Sequence, residues 1–204
     1  MLGGDRGVVD QKTIQPEPSG LPAMEIRPTR RSVSIWSTFW TCGILAVVLD
    51  QGTKWLALST LDPYNPPTIL PGLFELQLVH NDGAAFSLFQ GGRWMFIAVS
   101  IAAAFFLPLY LKSLIGEGES HPFYPLGLGL IWGGAMGNAL DRIFREQGLV
   151  VDFFHVVWSQ YSFPVFNVAD SAITLGLVAL LFVALFLKSP NQIKDEQTDA
   201  SDTL

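Results

Sequence analysis

Four uncharged, apolar stretches constrain the fold of this chain more than any other feature of its sequence. They lie at about 32–50, 94–111, 120–140 and 165–187, where the first range ends at the charged residue Asp50 and the last includes Asp170. At about 1.5 Å of rise per residue, a helix of this length crosses, or nearly crosses, a hydrocarbon core of roughly 30 Å. We therefore predict four transmembrane helices.

The composition agrees with a membrane protein and indicates how the chain is divided. Half of the 204 residues are apolar and only 15% are charged. We expect a disordered cytoplasmic extension at 1–31, a four-helix membrane domain at 32–188 and a disordered acidic tail at 189–204. The single cysteine, Cys42, leaves no partner for an internal disulfide. No basic patch interleaved with aromatic residues indicates nucleic-acid binding.

The distribution of basic residues predicts the orientation in the membrane. Lys and Arg are in excess at cytoplasmic flanks, and with both termini inside, the cytoplasmic ends of the stretches carry Arg27, Arg30, Arg31, Lys112, Lys188 and Lys194. The chain then runs outward, inward, outward and inward. Asp50, Asp141, Asp152 and Asp170 consequently collect at the outer end of the bundle.

The outer loop at 56–93 is expected to contain a small sheet. Residues 74–78 alternate apolar and polar side chains, which is the period of a half-exposed strand. The turn signal at 81–83 follows, and a second short strand is plausible at 85–89. The predicted fold is an all-α polytopic membrane protein with a small extracytoplasmic β-sheet and Trp94 at the interface.

Glycines in the third stretch predict close packing of helices. Gly133, Gly134 and Gly137 give a small-xxx-small spacing that allows a neighbouring helix to approach. Their interpretation as plain packing residues is sufficient. They would nevertheless press the polar end of the same stretch against the other helices.

Two groups of polar residues have both a structural and a functional interpretation. Asp50 and Lys54 are four residues apart and would form an ion pair if the first helix continues by one turn; direct chemistry is the alternative. Asn138, Asp141 and Arg142 share one helical face, where either substrate binding or internal scaffolding is possible.

Asp152 and Asp170 are the candidates for chemistry. Asp152 lies in an apolar connection, and Asp170 precedes an unbroken apolar run. Asp170 could be an N-cap, although Pro164 and Val165 suggest that the helix has already begun. Two carboxyl groups in one low-dielectric pocket cannot both ionise, so they supply a general base and a general acid for hydrolysis of an amide.

The residues alone leave three functions open. Aspartyl hydrolysis is one, and a proton or ion pathway is another, because intramembrane carboxylates serve both. A pathway needs ionisable groups at several depths, whereas the second and third stretches carry none inside apart from His121 at an end. A structural membrane scaffold is the third.

Five sequence blocks, in order, closely resemble the signal peptidase II (lipoprotein signal peptidase) family. The resemblance covers roughly residues 35–188. The blocks are DQGTK at 50–54, NDGAAFS at 81–87, GGAMGNALDR at 133–142, VDF at 151–153 and FNVADS at 166–171. The stretch at 143–150 is slightly longer than the family pattern, which leaves the delivery of Asp152 uncertain.

The resemblance implies a multi-pass aspartyl protease of the bacterial inner membrane that needs neither metal nor organic cofactor. Such an enzyme removes signal peptides from prolipoproteins and cuts before a cysteine that carries diacylglycerol. The family motifs assign catalysis to Asp152 and Asp170. Diacylglyceryl prolipoproteins and membrane lipids are the implied partners, with the chain acting as a monomer.

The resemblance also implies roles for further residues. Those expected to bind substrate are Asn81, Gly83, Asn138, Arg142 and Asn167. Those expected to support activity or stability are Asp50, Lys54, Asp141 and Ala169.

Overall fold

A computed structural model describes residues 30–83 and 91–187 of the chain. Within them, the helices are α1 (Arg30–Thr60), α2 (Arg93–Gly116), α3 (Phe123–Phe144) and α4 (Val168–Phe186), and the strands are β1 (Thr68–Leu70), β2 (Phe74–Asn81), β3 (Val150–Trp158) and β4 (Tyr161–Ser162). A short 3₁₀ helix, Glu146–Gly148, joins α3 to β3. The strand expected at 85–89 and the tails at 1–29 and 189–204 lie outside the described residues.

The helices coincide with the predicted apolar stretches, but two of the boundaries that differ bear on the site. α1 continues ten residues past Asp50 to Thr60, because Lys54 and Ala57 in this extension are buried against other elements. α4 begins at Val168 and not at 165, so the prediction that Pro164 and Val165 start this helix is wrong. Phe166 pairs with Phe154 of β3 instead.

Within the part of the chain that the structure describes, three helices are long and apolar enough to cross a membrane: α1 from Ser32, α2 and α4. α3 contains five buried glycines, which narrow its surface, and it packs against each of the other three helices. Together with their exposed apolar side chains, these helices make the chain a membrane-embedded protein built around α3.

The glycines of α3 permit this central position, as the small-xxx-small spacing predicts. A Cβ at Gly133 would meet the backbone carbonyl of Gly43 in α1, and one at Gly134 would meet the carbonyl of Ala169 in α4. A side chain at either position would therefore push a neighbouring helix away. The two contacts bring the polar end of α3 between α1 and α4.

An antiparallel sheet with the order β1-β2-β3-β4 covers one end of the helices. The predicted strand at 74–78 is confirmed as part of β2. Leu78 of β2 packs with Val151 and Phe153 of β3 against Ala57 near the end of α1. This apolar cluster fixes the sheet on the bundle.

The sheet corrects the prediction for Asp152. It lies in β3, opposite Val79 of β2, and not in a loop. The first four residues of β3 are all buried. One face of the strand packs on the end of α1, and the other faces α3 and the start of α4. A strand therefore delivers Asp152 to the bundle.

Candidate active site

Asp152 and Asp170 come together at the junction of the sheet and the helices. Asp152 is 2% exposed, and Asp170 lies in the first turn of α4. Asn167 contacts both: its side-chain Nδ2 donates to Asp152 Oδ1 at 2.6 Å, and its backbone N–H donates to Asp170 Oδ2 at 3.1 Å. The two carboxyl groups therefore share one neighbour.

The start of α4 is a capping box that orients Asp170. Asn167 is the N-cap, and its Oδ1 accepts the backbone N–H of Asp170 at 2.9 Å while the Asp170 carboxylate accepts from the backbone of Asn167. The alternative that Asp170 is itself the N-cap is wrong. Both the reciprocal bonds and the positive end of the helix dipole stabilise a negative charge at Asp170.

Asp152 has a strongly perturbed acidity. Its burial, and next the negative charge of Asp170, raise the pKa of Asp152 to about 7. Hydrogen bonds donated by Asn81 and Asn167 act in the opposite direction but do not cancel the loss of hydration. At neutral pH this carboxyl group can hold a proton.

A buried ion cluster lies beneath this pair. The Lys54 ammonium is 2.8 Å from Asp50 Oδ2, 2.9 Å from Asp141 Oδ2 and 2.9 Å from the Asn138 side-chain oxygen. All three ions are fully buried. The predicted pairing of Asp50 and Lys54 is confirmed, and Asp141 joins it.

Asn138 connects this cluster to the carboxyl pair. Its Oδ1 accepts from Lys54 and, at 3.0 Å, from Asn167. Its Nδ2 donates to Asp170 Oδ1 at 2.8 Å. Of the two roles considered for Asn138, the internal hydrogen bonds show scaffolding directly, and its place in the cavity lining leaves it available to a ligand.

The carboxylates of the cluster also hold the elements that carry the pair. Asp50 Oδ1 accepts the backbone N–H of Ala169 at 2.9 Å, next to Asp170. Asp141 Oδ2 accepts the backbone N–H of Val151 at 3.1 Å, next to Asp152. Each cluster carboxylate therefore fixes the backbone position that neighbours one member of the pair.

Two residues of this network were not identified in the sequence. Gln51 Nε2 lies within 3.1 Å of Asp50 Oδ2, the Gly137 carbonyl and Asp141 Oδ1. Arg145 Nε binds Asp141 Oδ1 at 2.7 Å. The signal for Arg145 was its spacing of four residues from Asp141 on one helix.

Arg142 forms the other wall of the site. Its guanidinium donates to the Gly83 carbonyl at 3.0 Å and stacks over the ring of Phe96 at 4.4 Å from the ring centre. Asn81 Oδ1 accepts the backbone N–H of Gly83, and Asn81 Nδ2 donates to Asp152. The end of β2 is thus tied to both Arg142 and the carboxyl pair.

These groups open onto a cavity of about 730 Å³. Asn81, Gly83, Asn138, Arg142, Asp152 and Asp170 line it; Asn167 does not, because it is buried behind the two carboxyl groups. The remaining lining is largely apolar and comes mostly from α2, α4 and the segment before α4. α2 and α4 both pack against α3 and barely contact each other, so the cavity lies between them.

The site presents two carboxyl groups to a largely apolar cleft. Among residues 30–83 and 91–187, no group of three His, Cys, Asp or Glu side chains is arranged to hold a metal ion. Asp50 and Asp141 are engaged by Lys54. Asp152 and Asp170 remain as the carboxyl groups that face the cavity.

Comparison with known proteins identifies the family. The family model for signal peptidase (SPase) II matches residues 42–186. The lipoprotein signal peptidase of Symbiobacterium thermophilum is 48% identical over 145 residues, which cover 71% of this chain and 91% of the relative. That of Geobacillus kaustophilus is 39% identical over 148 residues, covering 72% and 92%.

A solved structure agrees with the fold and the sequence match. A bacterial membrane enzyme determined by the in meso method superimposes with a TM-score of 0.66 at 28% identity, covering 76% of this chain and 91% of the other. The match of the family model extends over more than half of the chain, and the relatives are matched over most of their length. The resemblance seen in the sequence is confirmed: this chain belongs to the signal peptidase II family of membrane proteases.

Proposed function

We propose that this protein is an aspartyl endopeptidase that removes signal peptides from diacylglyceryl-modified prolipoproteins, cutting before the lipidated cysteine. The observation that carries the proposal is the pair of carboxyl groups, Asp152 and Asp170, which share Asn167 and face one cavity. The names of the relatives, lipoprotein signal peptidases, support the substrate class.

The surroundings of the two carboxyl groups suggest how they divide the chemistry. Asp170 accepts N–H groups on both oxygens and acts as the base that takes a proton from water. Asp152, whose pKa of about 7 lets it keep a proton, donates to the oxygen of the scissile carbonyl. The attacking water then forms a tetrahedral intermediate. As its C–N bond breaks, the proton held by Asp170 passes to the leaving amine, and the proton given by Asp152 returns to it from the former carbonyl oxygen.

The walls of the cavity suggest how the substrate is held. Arg142, Asn138 and Asn81 present donors that can bind peptide carbonyls on either side of the scissile bond. Phe96 and Ile173 contribute to an apolar surface suited to a signal helix. The substrate enters sideways from the membrane between α2 and α4, while its diacylglyceryl chains remain among the membrane lipids.

The proposed topology has four spans, because α3 crosses the membrane in addition to α1, α2 and α4. α3 is about 33 Å long at 1.5 Å per residue, which is enough to cross a hydrocarbon core of roughly 30 Å. Both termini are cytoplasmic, so the pair lies at the extracytoplasmic end of a monomer in the inner membrane. Segments 1–31 and 189–204 are then cytoplasmic tails.

Purified protein and a synthetic diacylglyceryl prolipopeptide provide the test. Wild type should release the signal peptide directly before the modified cysteine. D152N and D170N should insert in the membrane but lose at least about a thousandfold in rate, since each removes one proton-transfer group. D82N, which alters an exposed aspartate near the site, is the matched control and should cleave normally.

Full cleavage by D152N or D170N would reject the carboxyl pair. Absence of cleavage by wild type, together with proton flux into liposomes that requires Asp170, would instead support an ion pathway.

A further inference from the structure

The side-chain amide of Asn138 can adopt two orientations of nearly equal shape, and its neighbours decide between them. Its Oδ1 faces the Lys54 ammonium at 2.9 Å, and its Nδ2 faces Asp170 Oδ1 at 2.8 Å. The reverse orientation would place the NH₂ group against the ammonium and the amide oxygen against a carboxylate. Both of these contacts would be repulsive.

Lys54 is the stronger of the two donors that select this orientation. Asn167 Nδ2 also donates to Asn138 Oδ1, at 3.0 Å, but it lies closer to Asp152 Oδ1, at 2.6 Å, and within 3.4 Å of the Val151 carbonyl. Its two hydrogens are thus divided among three acceptors. The ammonium brings a full charge and is fully buried, so its hydrogen bond is the strong one.

We propose that Lys54 is a positioning residue that orients the Asn138 amide toward Asp170 and thereby makes Asp170 the base of the pair. The inference rests on the proposed function and extends it by giving the buried ion cluster a role in proton placement. With Asn138 as a donor, each oxygen of Asp170 accepts an N–H group. The shared proton is then left to Asp152.

The ionisable groups around the pair come from α1, α3 and β3. Lys54 and Asp50 belong to α1, Asp141 and Arg142 to α3, and Asp152 to β3; the residues of α2 that line the cavity carry no ionisable side chain. Replacing Lys54 alone would also remove a positive charge. A test must therefore separate charge from amide orientation.

The charge-balanced variant K54M/D50N makes this separation. It removes one positive and one negative charge, and Asn at position 50 keeps an oxygen for the backbone N–H of Ala169. We expect the rising limb of the pH–rate profile, which reports the first proton lost by the pair, to move up by about one pH unit as the donor to Asp170 is lost. The falling limb should move less than the rising limb, because the charge of Lys54 is the smallest of the effects on the pKa of Asp152.

Two further variants keep the inference testable if K54M/D50N folds poorly. N138A removes the donor directly and should move the rising limb in the same direction, and the triple variant K54M/D50N/N138A should move it no further. K112M is the matched control, because Lys112 is an exposed lysine of α2, and it should leave both limbs unchanged. Folding is checked by thermal unfolding in detergent.

The outcomes distinguish this inference from the proposed function. Three results would overturn the role of Lys54 while leaving the carboxyl pair intact. They are a pH–rate profile of K54M/D50N or N138A that equals that of wild type, a shift of both limbs by the same amount, and a further shift of the rising limb in the triple variant. Wild-type cleavage that does not need Asp152 or Asp170 would overturn the proposed function itself.

Discussion

The raised pKa of Asp152 predicts a pH dependence of stability that does not depend on catalysis. The carboxyl group has an ordinary pKa of 3.8 and a pKa of about 7 in the folded protein. Between these values the folded protein holds a proton that the unfolded chain has released. Its contribution to stability is therefore fully present below pH 3.8, is lost as the pH rises toward 7, and levels off above it.

The size of this loss follows from the shift. One pKa unit corresponds to about 1.4 kcal/mol, so the full shift of Asp152 amounts to on the order of 4 kcal/mol, of which about 3 kcal/mol falls between pH 5 and pH 8. In D152N the side chain cannot ionise. The variant loses an acceptor for Asn81, which lowers its stability at every pH, but it should lack the pH dependence.

Unfolding of the purified proteins in detergent at pH 5 and pH 8 measures the difference. The free-energy advantage of wild type over D152N should shrink by about 3 kcal/mol between the two pH values. D82N removes an exposed carboxyl group and should follow wild type. Equal pH slopes for D152N and wild type would refute the assignment of the raised pKa to Asp152.

Three further predictions test the site and the packing. The rate of cleavage should fall about tenfold for each pH unit above about 7, where the pair loses its shared proton; an undiminished rate at pH 9 would contradict this. R142K should raise KM about tenfold in peptide assays, because lysine cannot both bind the Gly83 carbonyl and stack on Phe96 as arginine does, and an unchanged KM would argue against a binding role. G134A should lower the free energy of unfolding by about 2 kcal/mol, since its Cβ would meet a backbone carbonyl of α4. G52A, a helical position with open space around it, is the control for G134A and should be neutral or slightly stabilising.

Local rules were sufficient to predict the helices and part of the site. The apolar stretches predicted the ends of α1 to α4 to within about five residues, except for the end of α1, which lies ten residues further along the chain. The spacing of Asp50 and Lys54 predicted their ion pair, and Gly133 and Gly134 predicted close helix contacts. Each of these features depends on residues within one helical segment, where period and spacing carry the information.

The strand β3 could not be predicted in this way. Its sequence, VVDFFHVVW at Val150–Trp158, lacks the alternation of a half-exposed strand, because the first part of the strand is covered on both faces. Its partner β2 lies some 70 residues earlier, with α2 and α3 between them. Pairing over such a distance is set by the folded bundle and not by local propensity.

The start of α4 was missed because two neighbouring signals competed. Pro164 and Val165 precede the apolar run and resemble a helix start, whereas Asn167 three residues before Asp170 forms a capping box in which Asp takes the place of the usual Glu. The structure selects Asn167, because its backbone is extended there and Phe166 is held by β3. A favourable N-cap therefore outweighed the hydrophobic pattern.

Two buried asparagines explain how a cluster of three ions and a pair of carboxyl groups can lie side by side in an apolar bundle. Asn138 and Asn167 each accept and donate within the site: Asn138 joins Lys54 to Asp170, and Asn167 joins Asp170 to Asp152. A carboxylate at either position would add a further buried negative charge without a cation to match it. An apolar residue would leave several hydrogen-bonding groups unpaired. Only a neutral side chain with both a donor and an acceptor meets these requirements, which is why the two amides are as necessary to the site as the acids they connect.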